Sequence, residues 1–284
     1  MPGAELYWHD SGVTRVESTL LSVALAAVLT LAAYTNVLLV AAVIVIIQLM
    51  IATAPSPANE AGRSVHAPRF GAAAVAGIIA TVITLWPGLL LGADGTSAGN
   101  IGRIDSGVFA GLAPAMAAGV IVALLSQMLR RDGRGSLVLT TGHAVTLCAF
   151  AVLAIGWIGA AESLGGAPVV AVSSIALSAT LLVWLVPFQR WIAASLAVVA
   201  AATAGGVSAP FLGDTADMTW LFGTLAGVGI ATFGILGQVL GRAWCSGRRH
   251  VSSGWGFPGA LSLALCAPIV FVAGQLLGAS FSLS

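Results

Sequence analysis

The sequence predicts an all-α, polytopic integral membrane protein of about nine transmembrane helices, with its amino terminus in the cytoplasm. Three observations carry this reading. Only 7% of the 284 residues are charged and 58% are hydrophobic, against about 25% charged in a soluble domain. The apolar residues gather into stretches of spanning length separated by short loops. All 11 basic residues are Arg, and a single threading puts ten of them on one side of the membrane.

Residues 1–15 hold Glu5, Asp10 and Arg15, a poor signal-peptide leader. They are expected to remain as a short cytoplasmic segment before a single transmembrane domain over 16–284. Residues 16–53 are apolar for 38 residues. One helix of that length would reach about 57 Å, nearly twice the hydrocarbon core. The polar cluster Tyr34-Thr35-Asn36 is the place for a break, giving spans 16–33 and 36–53. Pro55 and Pro57 stop the second of these. The third span is 70–91. The fourth is 104–129, closed by Arg130, Arg131 and Arg134. The fifth, 136–160, ends before Glu162 and the Gly165-Gly166 pair, and the sixth, 168–186, ends at Pro187. The seventh, 191–207, is short and Ala-rich. The eighth, 218–240, runs into a loop bearing Arg242, Arg248, Arg249 and His250, and the ninth is 257–279. With the amino terminus inside, Arg15, Arg63, Arg69, Arg130, Arg131, Arg134, Arg190, Arg242, Arg248 and Arg249 face the cytoplasm, and Arg103 faces out. For a bacterial-type cell this is the inner membrane.

Small residues recur every fourth position in the fourth span (Gly107, Gly111, Ala115, Gly119) and in the eighth (Gly223, Gly227, then Gly237, Gly241). Such stripes let helix backbones approach closely. Packing within the bundle is their ordinary use, and docking of a membrane-protein partner is the sharper alternative. Pro114 and Pro268 are expected to kink their helices.

Chemistry-bearing residues are sparse. His143 is the one titratable side chain expected deep in a span, where it would relay a proton, bind a polar ligand, or bond quietly to a neighbour. Gln48, Gln127, Gln238 and Gln275 read as interhelical hydrogen bonds or interfacial anchors. Gly95-Thr96-Ser97-Ala98-Gly99 matches the nucleophile-elbow pattern in letters, but that pattern needs a strand–turn–helix and here falls in an outer loop. Cys148, Cys245 and Cys266, like the four His residues, lack metal-ligand spacing. The expectation is no catalytic residue, no metal and no cofactor. A net charge of +1 without a basic patch argues against nucleic acid.

The second half of the chain resembles the integral-membrane CDP-diacylglycerol synthases (phosphatidate cytidylyltransferases). Gly234-Ile235-Leu236-Gly237-Gln238 stands where that family has its G-D pair, and Arg242 to Ser253 stands for its charged cytoplasmic loop. Phe257-Pro258-Gly259 is similar to the start of its P-G-H-G-G segment, Ala267-Pro268 to its final helix, and Gly165-Gly166-Ala167-Pro168 to the entry of its sixth. The resemblance implies transfer of a cytidylyl group to phosphatidate. The carboxylates that this chemistry needs for magnesium are missing, however. Gln238 replaces the acid, no acid stands near Trp184, and 242–284 contains neither Asp nor Glu.

The sequence therefore points to a non-catalytic lipid- or partner-binding component of an envelope phospholipid pathway. An anionic head group would be held by Arg242, Arg248, Arg249 and His250, with His143 and Gln238 as intramembrane polar groups. The alternatives are a transporter or channel for a small neutral or hydrophobic solute, and a membrane subunit of a larger complex.

Overall fold

A computed structural model describes residues 12–55, 69–86, 88–91, 111–129, 137–163, 165–213, 218–245 and 256–281. Among these the chain is helical and contains no strand. The helices are α1 (Gly12–Thr35), α2 (Val37–Ala52), α3 (Arg69–Leu85), α4 (Gly88–Leu91), α5 (Leu112–Met128), α6 (Leu137–Leu153), α7 (Gly156–Ala161), α8 (Gly166–Trp184), α9 (Arg190–Leu212), α10 (Trp220–Cys245) and α11 (Phe257–Phe281). Among the described residues, six stretches are long and apolar enough to cross a membrane: Val16–Thr35, Leu137–Glu162, Gly166–Trp184, Arg190–Leu212, Trp220–Cys245 and Phe257–Leu277. The helix α2, the stretch Phe70–Leu85 of α3, and α5 are shorter apolar helices. The protein is a multi-pass membrane protein.

The chain turns where its first polar cluster stands. Asn36 adopts an extended backbone, and its side chain accepts from the Leu38 N–H at 2.9 Å, capping α2. Elsewhere the helices depart from the spans read in the sequence. The third span stops at Leu85, because Trp86 precedes Pro87 and a residue in that position is pushed out of the helical region. The fifth is broken at Ala154-Ile155 into α6 and α7. The seventh continues past residue 207 to Leu212, with Pro210 in its last turn. The eighth continues past Leu240 to Cys245, so Arg242 lies on the last turn of a helix rather than in a loop.

Contacts between helix ends fix the threading. The residue before α11, Gly256, abuts Met50 near the end of α2, and Gly259 abuts Ser22 in α1. Gly241 of α10 packs on Pro258, and Gln127 at the end of α5 donates to Thr140 at the start of α6 at 2.8 Å. One end of the bundle therefore collects the starts of α1, α6 and α11 and the ends of α2, α5 and α10. Arg15, Arg69, Arg190 and Arg242 all lie on helix turns at this arginine end. Large exposed aromatics mark both ends: Phe70, Phe188 and Trp191 at the arginine end, and Tyr34, Trp86, Phe211 and Trp220 at the far end. Phe233 is the exception, half-exposed in mid-helix. Amphipathic rings at two levels are what the two membrane–water interfaces select.

The helix α11 forms the centre, touching α1, α2, α6, α7, α8 and α10. Around it runs α1–α2–α3–α5–α6 on one side and α1–α8–α9–α10 on the other. Small residues make the close crossings. A Cβ on Gly223 would meet the Gly205 carbonyl, one on Gly227 would meet Ala201 O, and one on Gly119 would lie 2.8 Å from both Ala76 Cβ and Cys148 Sγ. Gly111 lies against Ile83, and Ala115 is fully buried. These stripes pack against the chain's own helices, while Gly107 lies outside the described residues.

The break in the fifth span has a local cause. Ile155 N–H reaches back three residues to Val152 O at 3.2 Å, which frees Ala151 O, and Gln48 Nε2 donates to that carbonyl at 3.1 Å. Thr81 Oγ1 donates in turn to Gln48 Oε1 at 3.1 Å, so α2, α3 and α6 are tied by one fully buried amide. Directly beyond the break, Gly156 sits against Ala267 O of α11, and Trp157 Nε1 donates to Leu263 O at 2.8 Å. Pro268 interrupts the α11 ladder in the same turn, since it lacks an N–H and crowds the carbonyl four residues back. Gln48→Leu would leave Ala151 O without its donor in mid-bilayer. A loss of about 1 kcal/mol is expected, the scale of an interhelical hydrogen bond in lipid, read as a lower melting temperature in detergent. Thr81→Val should lose less, because Gln48 keeps its bond to α6.

Candidate functional site

Polar groups converge at the arginine end, where α1, α8, α10 and α11 meet. The geometry is built on Pro258, the second residue of α11. Its carbonyl accepts from Ser262 Oγ at 3.0 Å and from Gln238 Nε2 at 3.5 Å. Gln238 is fully buried, and its other face, Oε1, accepts from Arg242 NH2 at 3.1 Å. The two residues are one helical turn apart, so the amide and the guanidinium stack along one face of α10. Gly237 and Gly241 let this face approach α11, since a Cβ on either would lie 2.5 Å from a Cα there, of Ser262 and Pro258 respectively.

The helix α1 closes the junction. Ser22 Oγ donates to Ser18 O at 2.8 Å and abuts Gly259, and Thr19 beside them is fully buried. Thr180 and Trp184 on α8 are buried at the same level. The junction is therefore hydroxyl- and amide-rich, with a partly buried guanidinium at its rim. The one acid among the described residues near this end is Glu17, exposed on α1. Fixed amide and hydroxyl groups beside a guanidinium suit an anion.

On another side of the last turn of α10, Trp244 packs on His143. Their ring centroids are 4.7 Å apart, and Phe150 and Phe257 complete the cluster at 6.3 and 6.0 Å from Trp244. His143 is buried. It lies against the last turn of α10.

Of the site residues expected from the sequence, the structure joins Arg242 to Gln238 and places His143 behind the same helix turn. Arg248, Arg249 and His250 lie outside the described residues, as does the Gly95–Gly99 pattern. Among the described residues, no three His, Cys, Asp or Glu side chains gather in a metal-holding group. Sequence reasoning missed Ser18, Ser22 and Trp244. The Ser18–Ser22 pair had a readable signal, hydroxyls four residues apart at the start of an apolar span. A tryptophan two residues beyond Arg242 was a readable interfacial marker. Comparison with protein-family models, with curated proteins and with solved structures finds no match.

Proposed function

We propose that this protein binds an anionic lipid head group at the Arg242–Gln238–Pro258 junction without turning it over, as a component of an envelope phospholipid pathway. In this reading the chain crosses the cytoplasmic membrane nine times, with the arginine end and the amino terminus in the cytoplasm. The carrying observation is the bond from Arg242 to a fully buried amide that is itself anchored on α11. A guanidinium held in place by Gln238 is pre-oriented for a phosphate, whose oxygens match its planar fork of donors. The gathering of Arg15, Arg69, Arg190 and Arg242 at one end supports the orientation. The 16 or 17 residues of α2, α3 and α5 span about 24–26 Å, within a few Å of the hydrocarbon thickness. Local thinning accommodates such a shortfall, and Phe70 and Trp86 bracket α3 as interface markers do.

A transporter would draw on the broken α6–α7 helix and on Pro268 inside α11. There the Ala151 and Leu263 carbonyls accept from Gln48 and Trp157 within a buried core, so the head-group reading is the better supported.

The test uses full-length protein in nanodiscs of mixed phosphatidylglycerol and phosphatidylcholine, with retained lipid counted by native mass spectrometry. Phosphatidylglycerol should be retained preferentially, and Arg242→Gln should reduce that preference about tenfold, the worth of one charge-assisted bond. Equal retention of both lipids by the wild type would sink the head-group reading. Turnover of phosphatidate with CTP and magnesium would sink the non-catalytic one.

A further inference from the structure

The arginine end carries a second guanidinium on the helix beside Arg242. Among the described residues, α9 and α10 form the most extensively packed helix pair. They run antiparallel, with Gly205 against Gly223 and Ala201 against Gly227, so four residues back along α9 match four forward along α10. The stripe continues toward the arginine end through Ala197 and Ala193 on α9 and Ala231 on α10, all buried. Extending this register puts Arg190, the first residue of α9, opposite Gln238. Arg242 stands one turn further, about 6 Å along the axis. Both lie on the packed sides of their helices, Arg190 three residues before Ala193, and Gln238 and Arg242 seven and eleven beyond Ala231. The bond from Arg242 to Gln238 Oε1 turns its guanidinium back toward the level of Arg190.

The surroundings specify what meets these two cations. The corner from Leu185 to Gln189 joins two helices that cross the membrane, so it emerges at the interface, among lipid head groups. Phe188, Arg190 and Trp191 are exposed there. A guanidinium between aromatic side chains at that level suits phosphate on one side and acyl chains on the other. Each cation also stands over exposed apolar surface of its own helix, Ile192 and Leu196 on α9 and Leu236 and Val239 on α10. Two guanidiniums on separate backbones, one of them tied to Gln238, favour two phosphates held apart on one molecule over a single phosphate. Basic sites between membrane helices are where such head groups bind.

We propose that Arg190 and Arg242 together hold a lipid with two phosphodiesters on one glycerol bridge, a diphosphatidylglycerol, one phosphate to each guanidinium. This rests on the head-group reading and names the lipid class, with Arg190 as the residue that separates it from a singly charged lipid.

The experiment uses full-length protein in phosphatidylcholine nanodiscs doped, at equal phosphate content, with phosphatidylglycerol, phosphatidate or diphosphatidylglycerol. Retained lipid is counted by native mass spectrometry. Diphosphatidylglycerol should exceed phosphatidylglycerol about tenfold, the worth of a second charge-assisted bond. Arg190→Gln should abolish that advantage and keep phosphatidylglycerol ahead of phosphatidylcholine. Arg69→Gln removes the same charge from the start of α3, at the same end of the bundle, and should change neither. An equal fall with Arg69→Gln would mean diffuse attraction by the arginine end and would overturn the proposal. So would phosphatidate matching diphosphatidylglycerol, which puts both guanidiniums on one phosphate, or a wild type that retains diphosphatidylglycerol no better than phosphatidylglycerol. Those failures leave the head-group reading standing, because it depends only on phosphatidylglycerol being retained over phosphatidylcholine.

Discussion

Trp157→Ala is expected to be the most damaging single substitution at the centre of the bundle, with a loss of about 3–5 kcal/mol. Trp157 is the largest fully buried side chain among the described residues, and it follows the break between α6 and α7. Removing it opens a cavity between α7 and α11 and also withdraws the indole donor from Leu263 O. Trp157→Phe separates the two effects. It keeps most of the ring volume and loses only the bond, for which about 1–2 kcal/mol is expected, the cost of a buried carbonyl left without its donor. Melting followed by size-exclusion chromatography in detergent reads both. Equal damage from Phe and Ala would mean that the hydrogen bond, not the packing, holds the break. Little damage from either would mean that the α7–α11 contact does not organise the core.

The sequence makes some of this arrangement legible, and the reasons are local. Tyr34-Thr35-Asn36 marks a turn because a capping side chain inside a long apolar run has few other uses, and Asn36 does cap α2. Gln48, Gln127 and Gln238 are interhelical hydrogen-bonders for the same kind of reason, since amides in hydrocarbon must find partners. The break at Ala154-Ile155 is not legible in that way. Its neighbours are apolar, and it is stabilised by Gln48, Trp157 and the approach of Gly156 to Ala267, from residues about 100 positions apart. The extension of α10 to Cys245 was hidden for a related reason. Gly241 and Arg242 look like a helix end until Pro258 supplies the surface on which that last turn packs.

The central position of α11 leaves no trace in its own residues. In water a buried helix face differs from its exposed face in polarity, and periodicity reports the difference. In lipid both faces are apolar, so Leu261, buried, and Leu276, exposed, are the same residue type in opposite environments. The candidate site was half legible for the complementary reason. Arg242, Gln238 and His143 stand out because polarity is rare in these spans. The approach of Ser18 and Ser22 to Gly259 is a contact between α1 and α11, which no spacing in the chain encodes.

The second large effect is expected at the crossing of α9 and α10. Gly227→Leu should lose about 3 kcal/mol, at the upper end of the usual cost of overpacking. The first atom beyond Cα already collides: a Cβ there would meet the Ala201 carbonyl and lie 3.1 Å from Ala202 Cα, both backbone. A flexible side chain could turn aside, but a helix backbone yields only by moving the whole helix. Gly227→Ala should therefore be clearly destabilising as well, despite alanine's better helix propensity. Gly142→Ala is the matched control, because its Cβ would meet nothing, and it should be neutral or slightly stabilising. The damage should also be directional. The described part of α9 packs chiefly on α8 and α10, so prying it from α10 loosens α9 before the rest of the bundle. Hydrogen exchange of the Gly227→Leu variant should rise first in α9, while α2, α3 and α6, tied through Gln48, keep their protection. Uniform loss of protection in all helices would show that the bundle unfolds as one unit and that the α9–α10 crossing is not its weak edge.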